Sequence, residues 1–200
     1  MPDRSASSSP SCSPSCSPRG VPTVRGVDHV AYTVPDLETA VAFFADHFGG
    51  ELIFYDGPFH GEGDEMTRRL NVDPRARCRL AMVRLGRHTN LELFEYEAPE
   101  RRTELPRNSD IGGHHLALYV DDIDAAHAYV SKIPGVVVMD GPNGVAPDAP
   151  VAGQRWFYFL TPWGMQMELT SCPAGDFYAG LPGARMAPPA DGGLPPGPTG

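Results

Sequence analysis

The sequence predicts an α+β fold made of two tandem βαβββ modules, because it contains an internal repeat. The segment GVDHVAYTVPDLETAVAFF, which begins at Gly26, aligns without a gap with GGHHLALYVDDIDAAHAYV, which begins at Gly112. In each copy, period-two alternation gives way to apolar spacings of three and four residues, as in a strand that leads into a helix. Each copy also closes on a similar triplet, Leu91-Glu92-Leu93 and Met167-Glu168-Leu169. Such self-similarity indicates a duplicated structural unit.

The elements of the first module follow one another in a clear order. Residues 27–34 alternate as a strand, Pro35-Asp36 opens a helix, and Gly49-Gly50 ends it. Three further strands are predicted at 51–55, 78–85 and 90–96, with a turn at 86–88. The connection 56–76 is long and contains glycine, which is typical of a lid or pocket wall.

The folded region is predicted to span residues 23–178, with module one at about 24–98 and module two at about 110–172. The tail 1–22 is rich in Ser and Pro, and the tail 179–200 is rich in Pro and Gly. Neither tail carries enough apolar surface to offset the entropy of ordering it. Both tails are therefore predicted to be disordered.

Charge and hydropathy exclude several classes of protein. The chain has 25 Asp and Glu against 16 Lys and Arg, and its basic residues are scattered, so nucleic acid is not an expected partner. No apolar run approaches the roughly 20 residues that cross a bilayer, and the N-terminus lacks the apolar stretch of a secretory signal. We therefore expect no membrane partner and a cytoplasmic location.

Each copy of the repeat contributes one histidine and one glutamate. His29 matches His115 at an offset of 86 residues, and Glu92 matches Glu168 at an offset of 76 residues. The smaller second offset fits a shorter internal connection in the second copy. Strand alternation turns each glutamate away from its apolar neighbours and towards the concave side of the sheet.

These four side chains predict a single divalent-metal site. A lone carboxylate on the inner face of a sheet is costly to bury, whereas two neutral histidines and two glutamates around a cation satisfy one another. Taken singly, each histidine is better explained as a packing residue and each glutamate as a solvent-facing one, but the repeat favours the metal. Side chains with no counterpart in the other copy are set aside: Glu95, Glu97, His47, His60, His88, His114 and His127.

The motifs resemble those of a known family. DHVAYTVPDLETAVAFF resembles the opening strand and helix of the vicinal oxygen chelate (VOC) superfamily, which includes glyoxalase I, methylmalonyl-CoA epimerase, fosfomycin-resistance proteins and extradiol dioxygenases. HHLALYVDDIDAA resembles the opening of the second module, and TPWGMQMELTS resembles the closing motif. The resemblance covers residues 24–171 and implies the glyoxalase/VOC fold, in which the modules form a curved mixed sheet around the metal.

The resemblance also implies a chemistry. Carried over residue by residue, the metal positions fall on His29, Glu92, His115 and Glu168, and this complete set resembles the lyase, isomerase and epimerase branch. Such ligands suit one divalent ion, either Ni, Co, Mn, Fe or Zn. The implied reaction is isomerisation, epimerisation or lyase chemistry through an enediolate-type intermediate, with Glu168 and Glu92 as candidate catalytic bases. The expected partner is a small substrate with two neighbouring oxygens, and the modules pair either within one chain or across a homodimer.

Two other functions stay open at this point. Fe²⁺ held by two histidines and a carboxylate is an oxygenase arrangement, so a ring-cleaving type of dioxygenase is one alternative, and it predicts oxygen uptake. A non-catalytic protein that binds an antibiotic or another small molecule is the other alternative, and it predicts no bound metal.

Overall fold

The computed structural model of the chain describes residues 21, 27–87 and 89–172. The two predicted tails lie outside the described residues, apart from Val21. Among the helices in these described ranges, none has both the length and the apolar character needed to span a bilayer.

Module one contains two helices and four strands. They are β1 (Val30–Thr33), α1 (Leu37–Phe48), β2 (Glu51–Phe59), α2 (Glu65–Leu70), β3 (Arg77–Leu85) and β4 (Thr89–Glu97). The Asp36 side chain caps α1 by accepting from the Thr39 backbone N–H at 2.7 Å. Gly49 ends α1 in the left-handed conformation, at φ 63°.

The connection after β2 differs from the prediction, because it contains a helix. β2 continues to Phe59, and α2 occupies six residues of the segment expected to be irregular. Two ion pairs with i,i+4 spacing stabilise α2, from Arg68 to Asp64 and from Arg69 to Glu65. A helix of this length shows less than two turns of periodicity, so the sequence pattern could not indicate it.

Module two follows the same plan, with a short strand in place of the second helix. It contains β5 (Leu116–Tyr119), α3 (Ile123–Val130), β6 (Val137–Val138), β7 (Asn143–Gly144), β8 (Arg155–Leu160) and β9 (Gln166–Ser171). The Asp122 side chain caps α3 by accepting from the backbone N–H groups of Asp124 and Ala125. The repeat seen in the sequence therefore extends to the way each helix begins.

Each module builds its own mixed sheet. The strand order is β1-β4-β3-β2 in the first sheet and β5-β9-β8-β6 in the second, where β7 also pairs with β8. The first strand of each module runs parallel to the last, and all other pairings are antiparallel. The predicted α+β fold of two βαβββ modules is confirmed, with the strands divided between two sheets.

One hydrophobic core joins the modules. Leu91 and Leu93 in β4 and Met167 and Leu169 in β9 all belong to it, together with the apolar side of α1. Trp163, in the turn between β8 and β9, packs edge-on against Phe43 and Phe44 of α1. Because strands alternate, Glu92 and Glu168 lie on the opposite face of each sheet from this core.

Candidate metal centre

The first predicted pair of ligands is brought together at one edge of the first sheet. His29 directly precedes β1, and Ala31 pairs with Glu92 in the parallel register of β1 and β4. His29 and Ala31 are two residues apart, so the imidazole and the Glu92 carboxylate share a face. The distance from His29 Nε2 to Glu92 Oε2 is 3.2 Å. We call this pair half-site one.

The second predicted pair has the same construction. His115 directly precedes β5, and Ala117 pairs with Glu168 in the parallel register of β5 and β9. The distance from His115 Nε2 to Glu168 Oε2 is 3.1 Å. We call this pair half-site two. The repeat therefore reproduces both the residue types and the distance between the two ligand atoms.

The other ring nitrogen of each histidine is held by an oxygen. His29 Nδ1 lies 2.8 Å from Asp28 Oδ2, and His115 Nδ1 lies 3.1 Å from Asn108 Oδ1. An ionised carboxylate or an amide oxygen only accepts, so both contacts favour the tautomer with the proton on Nδ1. That tautomer leaves Nε2 able to ligate a cation, and an oxygen partner of this kind is the usual support of a metal-bound histidine.

Neither Asp28 nor Asn108 was predicted from the sequence, and only Asp28 carried a sequence signal, its position next to His29. The residue matching Asp28 in module two is His114, which does not take this role. Instead, the loop between the modules supplies Asn108. Gly113 lets this loop approach, since a Cβ atom there would lie 2.3 Å from the Arg107 carbonyl oxygen.

Burial and hydrogen bonding shift the pKa values of Glu168 and His29. Burial raises the pKa of Glu168, and this rise is opposed by its contacts with His115 and with the Tyr158 hydroxyl. Hydrogen bonding to Asp28, followed by the charge of Glu92, raises the pKa of His29. A buried carboxylate beside an imidazole is the kind of group that a cation would stabilise.

Within the described residues, the two half-sites do not form one compact cluster of ligand atoms. Among the described residues, a cluster whose ligand atoms all lie within 4.8 Å of one another is formed by Asp36, Glu38 and Glu95, and not by three of the four predicted ligands. The residues of each half-site fit a divalent ion in type and tautomer, yet each half-site offers two ligands where such ions take four to six.

The acidic cluster has a structural explanation. Glu95 Oε2 accepts from the Leu37 backbone N–H at 2.7 Å, and Arg79 binds both Glu38 and Glu95. Arg79 therefore offsets part of the negative charge of the cluster, and Asp36 and Glu95 cap the start of α1. Module two repeats the main contact, because Arg155 binds Asp124 through two hydrogen bonds of 2.6 and 2.9 Å.

Several histidines that were set aside have packing roles. His114 Nδ1 lies 3.0 Å from the Gly112 carbonyl oxygen, and its ring stacks on Tyr32. His47 contacts the Tyr129 hydroxyl at 3.1 Å, and His127 packs edge-on against Phe157. His88 lies outside the described residues.

The comparisons with known proteins give the family. Residues 28–152 match the family model described as Glyoxalase/Bleomycin resistance protein/Dioxygenase superfamily. The chain is 57% identical over 157 residues to a protein from Actinomyces sp named 2-epi-5-epi-valiolone epimerase, and the match covers 78% of this chain and 85% of the relative. That relative supports an enzyme of the isomerase type.

Solved structures share the fold. A glyoxalase family protein from Bacillus cereus has a TM-score of 0.59 at 18% identity, covering 76% of this chain and 98% of that one. A glyoxylase/bleomycin resistance protein/dioxygenase domain from Frankia sp. EAN1pec has a TM-score of 0.52 at 17% identity, covering 75% and 99%. Together with the family model and the epimerase, these similarities show that the chain belongs to the Glyoxalase/Bleomycin resistance protein/Dioxygenase superfamily, which is the VOC superfamily.

Proposed function

We propose that this chain is a metal-dependent epimerase that inverts one carbon of a small oxygen-chelating substrate of the 2-epi-5-epi-valiolone type. The observation that carries the proposal is the pair of His–Glu half-sites, each with its histidine Nδ1 held by an oxygen. The 57% identity to a 2-epi-5-epi-valiolone epimerase supports the choice of epimerisation over lyase chemistry.

Epimerisation next to a carbonyl needs two proton-handling groups. One base removes the proton from the carbon, the C–H electron pair moves into the carbonyl system, and an acid then returns a proton to the opposite face. Glu92 and Glu168 come from different modules, so they would approach the substrate from different sides. We assign the two proton transfers to these carboxylates.

His29, Glu92, His115 and Glu168 are the residues that would hold the ion. When bound, a divalent ion supplies a Lewis acid that polarises the substrate carbonyl. In the chain itself, Asp28 and Asn108 orient the two imidazoles through Nδ1. Glu92 and Glu168 lie on the sheet faces opposite the apolar core, so the reacting groups are separated from the core.

A second copy of the chain would complete the site. We propose a homodimer in which half-site one of one copy faces half-site two of its partner. The proposal is supported by the incomplete ligand set of each half-site, since no three of the four predicted ligands form a compact cluster among the described residues of one chain. It is also supported by β2, an edge strand whose apolar side chains are exposed, with Ile53 at 47% and Phe54 at 45%. Exposed apolar edges of this kind are common where another chain packs.

The proton-transfer roles are tested with Glu92→Gln and Glu168→Gln. An amide keeps the size of the carboxylate and a weak ligand oxygen, but it cannot accept a proton at neutral pH. With 2-epi-5-epi-valiolone as substrate, each variant should lose turnover by about 10²–10⁴-fold at matched metal occupancy. Solvent deuterium should enter the substrate carbon in the unsubstituted protein and much more slowly in both variants.

Three outcomes would contradict the proposed function. Normal turnover in both glutamine variants would remove the carboxylates from the proton transfers. Substrate-dependent oxygen uptake, measured with an electrode, would indicate a dioxygenase instead. Binding of the compound without deuterium exchange, by protein that holds no metal, would indicate a binding protein.

A further inference from the structure

The two glutamates have different neighbours on the adjacent strand. In module two, Tyr158 of β8 pairs directly with Glu168 of β9. In module one, the corresponding pair is Met82 of β3 with Glu92 of β4. Residues that pair directly in antiparallel strands place their side chains side by side on one face. Glu168 of half-site two therefore has a phenol beside it, whereas Glu92 of half-site one has a thioether beside it.

Tyr158 contacts both members of half-site two. The strand register places the tyrosine beside the Glu168 carboxylate, and the interaction between them raises the pKa of Tyr158 and opposes the rise in the pKa of Glu168. Its ring meets the His115 ring at 5.1 Å between centroids, in an edge-on arrangement. Trp156 packs against the same tyrosine at 5.0 Å. The tyrosine is thus held between the site and a second aromatic ring.

The chemistry of the two neighbours differs in one respect. A phenol donates a hydrogen bond, so it can restrict rotation of the carboxylate beside it, whereas a thioether has no hydrogen to donate. Glu168 is also the more enclosed of the two carboxylates, with 12% of its side chain exposed against 18% for Glu92. The difference in surroundings follows from the sequence of β3 and β8, where the repeat is not kept.

We propose that Tyr158 is a positioning residue that fixes the Glu168 carboxylate beside His115, and that Glu92 is consequently the more mobile of the two carboxylates. The part of this inference that concerns catalysis rests on the proposed function. There, Glu168 would be the carboxylate held in place, while Glu92 would be freer to move towards the substrate carbon and remove its proton, and Glu168 would return a proton from the opposite face. The part that concerns the Tyr158–Glu168 contact stands without a metal or a substrate.

The contact is tested by a double-mutant cycle in metal-free protein. Tyr158→Phe removes only the hydroxyl and keeps the ring against His115, and Glu168→Ala removes the acceptor. Their effects on unfolding by urea should be non-additive, because each substitution removes the same hydrogen bond. Met82→Leu with Glu92→Ala is the matched control, and its deviation from additivity should be smaller, because Met82 has no hydrogen to donate to Glu92. Additive effects for Tyr158→Phe and Glu168→Ala would overturn the proposal.

The consequence for the ion is tested with Co²⁺ alone, by competition with a chelator. Loss of a residue that orients a ligand typically costs about 10–100-fold in metal affinity, so Tyr158→Phe should weaken Co²⁺ binding by about tenfold or more. The visible absorption spectrum of the Tyr158→Phe variant with Co²⁺ should also differ from that of the unsubstituted protein. Met82→Leu should bind Co²⁺ within about twofold of the unsubstituted protein, since its side chain has no hydrogen to donate.

These measurements separate the two proposals. If Tyr158→Phe binds Co²⁺ as tightly as the unsubstituted protein, the positioning role is wrong although the metal site stands. If the unsubstituted protein binds no Co²⁺, the proposed function is wrong, and the double-mutant cycle still decides whether Tyr158 fixes Glu168.

Discussion

At the scale of single residues, the two histidines reach one arrangement by different routes. His29 uses the preceding residue, Asp28, to hold Nδ1, whereas His115 uses Asn108, seven residues away in the loop between the modules. A carboxylate partner makes an imidazole more basic than an amide partner does. The two histidines of the proposed site are therefore held by oxygens of different charge, although the repeat makes them alike in position.

Two buried hydroxyl groups permit a prediction about stability. The Ser171 hydroxyl is buried and has no hydrogen-bond partner among the described residues, whereas Thr161 Oγ1 accepts from the Met165 backbone N–H at 2.9 Å. A buried polar group without a hydrogen bond costs about 1–3 kcal/mol of stability, so removing such a group relieves this cost. Removing a hydroxyl that accepts a hydrogen bond has the opposite effect, because it leaves the donor unsatisfied. Ser171→Ala should therefore raise the free energy of unfolding by about 1 kcal/mol, and Thr161→Val should lower it by about as much.

Urea denaturation at pH 7 measures both changes. The two substitutions serve as controls for each other, because both residues are almost fully buried: Ser171 is 1% exposed and Thr161 is 2% exposed. A loss of stability in Ser171→Ala would mean that its hydroxyl is hydrogen-bonded in solution.

At the scale of elements, the repeat preserves the start of each helix more faithfully than it preserves the strands. Asp36 and Asp122 cap α1 and α3, and Arg79 and Arg155 bind the acidic side chain that follows each cap. These contacts fix each helix against its own sheet. By contrast, β6 has two residues where the matching strand β2 has nine. The common geometry of the two half-sites comes instead from the parallel pairing of the first and last strand in each module.

The loop between the modules provides the element-scale prediction. A Cβ atom at Gly113 would lie 2.3 Å from the Arg107 carbonyl oxygen and 2.8 Å from the Asp110 carbonyl oxygen, and neither backbone atom can move alone. Gly113→Ala should therefore displace the loop and withdraw Asn108 from His115. We expect a loss of stability of about 1–3 kcal/mol, as for other overpacked sites, together with weaker Co²⁺ binding.

Gly144 offers the matched control for this substitution. A Cβ atom there would meet nothing within 4 Å, so Gly144→Ala should change stability by no more than about 0.5 kcal/mol and leave Co²⁺ binding unchanged. Urea denaturation and chelator competition measure the two effects. Equal behaviour of the two alanine variants would show that the approach of the loop does not hold Asn108 in place.

At the scale of the whole molecule, the position of the core decides where a complete site can form. Both glutamates lie on the sheet face opposite the shared core, so core side chains do not fill the space in front of either half-site. A homodimer would supply each half-site with its missing ligands. In a two-fold pair, each copy would give module one to one site and module two to the other.

This arrangement predicts complementation between inactive variants. His29→Ala and His115→Ala each damage one half-site, so either protein alone should have two defective sites per homodimer. After mixing and exchange of copies, about half of the pairs are mixed, and each mixed pair has one intact site of two, so about a quarter of full activity should return. Metal content should recover in parallel.

The complementation experiment has a clear opposite result. If both half-sites of a complete site come from one chain, no mixture of the two variants contains an intact site, and activity stays absent. A mixture of His29→Ala with Glu92→Gln is the control, since both substitutions damage half-site one and cannot complement each other. Sedimentation of the unsubstituted protein gives its oligomeric state directly.

The sequence by itself determined the two βαβββ modules and the pairing of one histidine with one glutamate in each. Both follow from local rules, because periodicity fixes the element type and strand alternation fixes the face of each side chain. The short helix α2 was not predicted by these rules, because its six residues are too few to show a helical period.

Only the tertiary structure decided how the halves relate to each other and what surrounds them. Asn108 reaches His115 because a loop packs against Gly113, and Tyr158 meets Glu168 because β8 pairs with β9 in one register. The two modules share one core, in which Trp163 of module two packs against Phe43 of module one. These are contacts between residues distant in the chain, and local periodicity contains no information about them.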